Sequence, residues 1–167
     1  FGRRFQIDDD RRMQAQAMPR FGWGNESEPE PFLDNRRLPL PRGRLLGGCS
    51  SINGTMYIRG AAADYDGWRD AGLSGWGYAD VLPYFRRAET NWRGESAEHG
   101  GHGPLHVTPM RKHPELFPAF LAAAESLGYP PCPDFNLAEP EGFGIADCTI
   151  RDGRRDSTPR AYLDPAQ

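Results

Sequence analysis

Lysine is nearly absent: Lys112 is the only one, and the other 19 of the 20 basic residues are Arg. Against 23 Asp and Glu the net charge is −3. That balance excludes strong electrostatic attraction to nucleic acid or an anionic membrane. Arg suits bidentate contacts to carboxylate and phosphate, although genome base composition accounts for the bias at least as well. No run of about 18 apolar residues exists, so no membrane-spanning helix is expected. The opening Phe1-Gly-Arg-Arg-Phe lacks the apolar core of a signal peptide. An initiator Met is missing too, so Phe1 is not taken as the natural start. The three cysteines, Cys49, Cys132 and Cys148, form no CxxC pair, and neither a zinc site nor a complete disulfide framework follows.

What is abundant is glycine and proline, 20 and 16 residues in a chain of 167. That is about twice the ordinary share. Mean hydropathy is −0.70. Length permits one domain, but the composition predicts many turns and a core too weak to stand alone. Residues 1–40 show no sustained period. A short helix from Asp8 to Ala17 is expected, followed by extended segments at Glu28–Pro31 and Arg36–Pro41, because a residue before Pro is driven out of the helical region. Residues 41–60 carry Gly47-Gly48-Cys49-Ser50-Ser51 and then Asn53-Gly54. Small side chains let a backbone approach a ligand and leave N–H groups to donate. A helix start is expected near Ser50 or Ser51, since Ser caps well.

Further helices are predicted over 63–70 and from Asp80 to Glu89, the latter start chosen because Pro83 belongs in a first turn. Leu105-His106-Val107 reads as a strand. Glu115–Leu127 is the best helix, stopped by Gly128. Gly144–Arg151 alternates like a half-buried strand, and Asp152-Gly153 reads as a hairpin turn.

The segment Gly43-Arg-Leu-Leu-Gly-Gly-Cys-Ser-Ser-Ile-Asn53, with Tyr57, Gly60 and Asp66, resembles the first signature of the glucose–methanol–choline (GMC) flavin oxidoreductases. The landmarks continue in order. Ser27-Glu28-Pro29 precedes Pro41-Arg42-Gly43. Asp64-Tyr65-Asp66, Gly75-Trp76-Gly77-Tyr78 and Val81-Leu82-Pro83-Tyr84-Phe85 follow it. Gly103-Pro104-Leu105-His106-Val107 and Ser157-Thr158-Pro159-Arg160-Ala161-Tyr162-Leu163 complete a series covering roughly residues 20–165. An ordered series is far more specific than one Gly-rich loop.

The resemblance implies an α+β chain rich in irregular segments. It would be a fragment of a two-domain fold made of an FAD-binding α/β domain and an antiparallel-sheet substrate domain. Residues 1–40 would be an extended lead-in, 41–92 a portion of the FAD-binding domain, and 93–167 the start of the substrate domain. The implied cofactor-binding residues are Arg42, Gly43, Leu46, Gly47, Gly48, Cys49, Ser50, Asn53, Gly54, Thr55 and Met56. Backbone N–H groups from Cys49 to Asn53, and the Asn53 amide, would face flavin acceptors. Ile52 matches the position where some members tether FAD through a His, so FAD is expected to be non-covalent.

Two parts of the family pattern are missing. There is no GxGxxG unit for the FAD pyrophosphate, and the family's catalytic His belongs to a later segment. The chain is therefore expected to be an internal piece, completed by missing N- and C-terminal segments or by another chain, and to hold no catalytic residue itself. His99, His102, His106 and His113 are expected at solvated loop and surface positions, with neither a metal nor a catalytic role. Asp64, Asp66 and Asp70 read as helix-start and surface carboxylates, Trp68, Trp76, Tyr84 and Phe85 as core. For Arg59, a place near the substrate entrance and a surface ion pair stay open. The implied function is hydride removal from an alcohol by FAD in the cytoplasm, with oxygen or another acceptor. A cyanohydrin-cleaving lyase on the same scaffold and a non-catalytic interaction subunit are the alternatives.

Overall fold

The computed structural model describes residues 19–110 and 115–166. The helix expected at residues 8–17, and His113, lie outside them. Two compact units divide the chain: residues 1–55 with 152–167, and residues 56–151. The chain's own packing thus divides at Thr55/Met56 and Arg151/Asp152. Among the described residues no helix is long and apolar enough to cross a membrane.

In the first unit the lead-in is a long irregular hairpin. Isolated antiparallel bridges join Gly22 to Gly43, Glu26 to Pro39 and Glu30 to Arg36. The prolines and glycines deny it a continuous ladder, so only alternate backbone groups pair, such as Ser27 N–H to the Leu38 carbonyl (2.9 Å) and Leu40 N–H to Asn25 (2.8 Å). Its tip is a 3₁₀ turn at Pro31–Leu33 followed by Asp34 and Asn35 in the left-handed region. A second 3₁₀ turn spans Gly48–Ser51. Phe21 and Ile52, with Leu45 against them, form a small apolar cluster. Asp152 and Gly153 both have positive φ, as the expected tight turn requires, and a π-helical turn at Pro159–Leu163 closes the unit.

The second unit carries the regular elements. Strand β1 (Met56–Tyr57) leads to helices α1 (Ala62–Asp70) and α2 (Tyr78–Ala88), then β2 (Glu89–Asn91) and β3 (Leu105–Val107). Helix α3 (Phe117–Ser126) and strands β4 (Asp147–Cys148) and β5 (Ile150–Arg151) follow. Strand β2 runs parallel to β3, with Thr90 opposite His106, and β1 runs antiparallel to β4, with Met56 opposite Cys148. Thr108 and Cys148 exchange both backbone hydrogen bonds (2.9 and 2.8 Å), which links the two ladders in the order β2-β3-β4-β1.

Several expectations are corrected. Ser50 and Ser51 do not start a helix. They lie within the 3₁₀ turn, and their hydroxyls bond back to the carbonyls of Gly47 (2.6 Å) and Leu46 (2.8 Å). Helix α2 starts at Tyr78, a half-turn before Asp80, because two carboxylates satisfy its first amides. Asp80 Oδ2 takes the Gly77 N–H (3.1 Å), and Asp66 Oδ1 takes the Tyr78 N–H (3.0 Å). Pro83 is accommodated in the second turn. The 144–151 segment is strand only at Asp147–Cys148 and Ile150–Arg151. Trp68, Trp76 and Tyr84 are not core: they are 47%, 53% and 63% exposed. They sit on α1, α2 and the link between them, where Tyr65 stacks edge-on to Trp68 and Phe85.

The interior is largely polar. Seven hydrophobic residues are buried among those described, against eleven polar or charged ones, and Glu89 is the largest side chain with no exposure.

Candidate functional site

Residues 42–55 form one continuous loop of the first unit, and the structure separates its glycines by role. A Cβ on Gly47 would fall 2.5 Å from Pro159 Cδ and from Ser51 Oγ, and one on Gly43 would collide with the Gly48 carbonyl. These two glycines serve the loop's own packing. Gly48 differs: it has φ +52°, and a Cβ there would meet nothing within 4 Å. It presents bare backbone to open space. Leu46, Cys49, Asn53 and Gly54 are exposed beside it, and so is Arg42, whose Nη1 donates to the Pro41 carbonyl (2.9 Å).

Of the donors the resemblance implies, three backbone N–H groups, those of Ser50, Ile52 and Asn53, are spent inside the loop. The N–H groups of Gly48, Ser50, Ile52 and Asn53 all bond within the turn, to Leu45, Gly47, Cys49 and Cys49 respectively. They cannot serve a ligand without unwinding it. The outward donor is the Asn53 side chain. Its Oδ1 accepts from Thr55 N–H (3.0 Å) and from Arg155 Nη1 (2.6 Å). Two donors converging on one atom identify it as the oxygen, so the NH₂ end is turned to the exposed side. Thr55 is buried at φ 60°, an uncommon conformation for a β-branched residue, held by that Asn53 bond. The loop is backed by the segment after residue 152. Arg155 also reaches the Ser50 carbonyl (3.3 Å), and Thr158 N–H donates to Ser50 Oγ (3.1 Å). Arg155 and Thr158 were not foreseen as site residues, since they lie over 100 positions from the loop. Met56, also expected here, is the first residue of the second unit, 60% exposed on β1.

The second unit buries a charged network. Arg59 was expected at a surface or an entrance and is 5% exposed. Its Nη2 donates to Glu89 Oε1 (2.6 Å), its Nη1 to the Glu98 carbonyl (2.8 Å), and its backbone N–H to Asn136 Oδ1 (2.9 Å). The guanidinium lies 5.2 Å from the Phe85 ring centre and 6.0 Å from that of Tyr57. Burial acts to lower its pKa, but Tyr57 and Glu89 outweigh that and raise it. Burial, then the Glu89 charge, push the Tyr57 hydroxyl up to about 12.

His99 corrects the sequence reading as well. It is 3% exposed, not solvated. Its Nδ1 lies 2.9 Å from Glu89 Oε1 and its Nε2 2.7 Å from Asp134 Oδ2. Asp134 pairs on with Arg93, which also binds Asp147. His102 is exposed, as expected, and His106 is half-buried. This enclosed network presents no base or nucleophile to solvent; it ties β1, β2 and the 95–103 and 132–136 loops together.

Comparison with known proteins decides the family. A model described as GMC oxidoreductase matches residues 15–167. The chain belongs to the GMC oxidoreductase family. GMC relatives are close in sequence. An oxygen-dependent choline dehydrogenase of Rhizobium etli (strain CIAT 652) is 49% identical over 150 residues, covering 90% of this chain and 27% of that protein. Its counterpart in Paraburkholderia phymatum is 50% identical over 151 residues, covering 89% and 26%. Among solved structures, pyridoxine 4-oxidase from Mesorbium loti aligns at TM-score 0.88 and 32% identity, over 96% of this chain and 32% of that one. An FAD-dependent oxidoreductase from Chaetomium thermophilum aligns at 0.79 and 26%, over 87% and 27%. This GMC chain thus spans about a quarter of the length of the curated relatives it matches.

Proposed function

We propose that the chain is the loop-bearing portion of an FAD-dependent oxidoreductase that acts on the CH–OH group of an alcohol donor. The carrying observation is the pairing of bare, left-handed Gly48 with the outward Asn53 amide. A planar, acceptor-rich ring fits such a surface: Gly48 lets it approach, and the amide donates to it. Exposed Leu46 and Cys49 would form the neighbouring wall. Bound FAD would supply the hydride acceptor for the alcohol carbon. A donor against the ring favours its electron-rich reduced form, which is how protein groups tune such a cofactor. Binding is non-covalent on this reading, since Ile52 lies 3% exposed in the cluster with Phe21 and offers no nucleophile.

The remainder of a two-domain enzyme, comprising the pyrophosphate cradle and the proton-accepting base, would come from segments outside these residues. Names of the relatives, choline dehydrogenase and pyridoxine 4-oxidase among them, support an alcohol as the substrate class. The test is anaerobic mixing of the whole flavin-loaded protein with candidate alcohols, choline first. Bleaching of the flavin absorbance is expected, and Gly48→Val should purify without flavin because its side chain occupies the approach space. Turnover of a cyanohydrin with no bleaching by any alcohol would replace this reading with the lyase.

A further inference from the structure

We infer that Arg155 is a positioning residue that fixes which end of the Asn53 amide faces outward. The inference rests on the flavin reading above and assigns a role within it. An amide is polar at both ends and nearly symmetric in shape, so packing alone does not choose between its two orientations. Here the choice is made by charge. Arg155, 9% exposed, places Nη1 2.6 Å from Asn53 Oδ1, and the Thr55 N–H reinforces it at 3.0 Å. A flipped amide would set its NH₂ against the guanidinium and the Thr55 N–H, leaving donors facing donors. The same guanidinium nitrogen reaches the Ser50 carbonyl at 3.3 Å, so it ties the amide to the end of the turn that precedes it.

Two further contacts keep the clamp in register. Thr158 N–H donates to Ser50 Oγ at 3.1 Å, and Thr158 Oγ1 lies 3.0 Å from the same atom. Pro159 closes over Gly47, where no Cβ fits. Arg155 itself sits behind the loop, joined to its carbonyl and amide oxygens. It acts through Asn53. Without it the amide is free to present an acceptor where the bound ring has acceptors, and the electron-rich reduced ring loses most.

The experiment uses the whole flavin-loaded protein and reads affinity and potential rather than turnover. Arg155→Met keeps length and removes the donors. It should weaken FAD binding about tenfold or more. It should also lower the two-electron midpoint potential by about 30 mV, which corresponds to a tenfold greater loss of affinity for reduced than for oxidised flavin. Arg155→Lys, which still donates, should restore both to near wild type. If Arg155→Met fails to fold, Asn53→Asp decides: it keeps the Arg155 contact, turns an oxygen outward, and should shift the potential in the same direction. A folded Arg155→Met protein with unchanged potential and affinity overturns the inference, as does an unchanged Asn53→Asp. A wild-type protein that neither carries nor takes up flavin overturns the functional reading, and this inference with it.

Discussion

At the scale of single residues, Glu89 decides the most. It has no solvent exposure, and its Oε1 accepts from Arg59 (2.6 Å), His99 (2.9 Å) and the Gly100 N–H (3.1 Å). Breaking a buried pair by removing one partner leaves an uncompensated charge and costs about 3–5 kcal/mol. Glu89→Leu should therefore lower the urea midpoint by that equivalent, and the double variant Arg59→Met/Glu89→Leu should recover part of the loss. A single-variant change within error in chemical denaturation would contradict it. Tyr57 adds a pH signature. Its folded pKa is raised from 10.0 to about 12, so the folded state holds this proton more tightly than the unfolded chain does. The contribution is whole below pH 10 and is lost as pH rises through 12. Tyr57→Phe should be less sensitive than wild type between pH 10 and 12, as read by denaturation at stepped pH. None of this network was legible in the sequence. Successive members Arg59, Glu89, His99 and Asp134 are 30, 10 and 35 residues apart, and only the folded loops bring them together. A Gly-rich stretch around His99 looks the same whether it is solvated or folded over a carboxylate.

Among the elements, legibility followed local chemistry. Leu105–Val107 is a strand and Phe117–Ser126 a helix, within two residues of the expected bounds, because alternation and the Gly128 stop act over short range. The start of α2 was misplaced by two residues because Pro83 was weighed without its partners. The carboxylates of Asp80 and Asp66 satisfy the first amides, and that gain outweighs the missing proline donor. Asp80→Ala removes the bond to Gly77 N–H and a favourable charge at the positive end of the helix. It should cost about 1 kcal/mol in denaturant titration and leave α1 unchanged. The residues of the 42–55 loop were legible as a motif, but not their division of labour. Gly43 and Gly47 are needed by neighbours in space, Pro159 among them, that sequence order does not reveal. Of the N–H groups expected to face a ligand, those of Ser50, Ile52 and Asn53 are taken up by the 3₁₀ turn that these small residues make easy.

For the whole molecule, glycine and proline content foretold the weak core, and the structure shows what replaces it. Buried charge and hydrogen bonding hold the second unit, while large apolar groups lie outside. Trp23, Trp68, Trp76 and Trp92 are 61%, 47%, 53% and 51% exposed, and Phe32 is 99% exposed. Contiguous exposed apolar groups mark surfaces that bind something, and Trp68 and Trp76, with ring centres 6.0 Å apart, are such a pair. On the proposed reading the cover is the rest of a flavoprotein whose relatives are about four times longer than their match to this chain. Tryptophan emission tests that cover directly, because all four indoles belong to these residues. In the 167-residue chain alone, iodide should quench emission strongly and the maximum should be red-shifted, as for wet indoles. Within the complete flavoprotein, quenching of the same four should fall by at least half, followed by single-Trp variants that retain one of them at a time. Equal quenching of Trp68 and Trp76 in both forms would mean that their aromatic surface faces solvent in the finished enzyme, and the search for its occupant would turn to a separate partner.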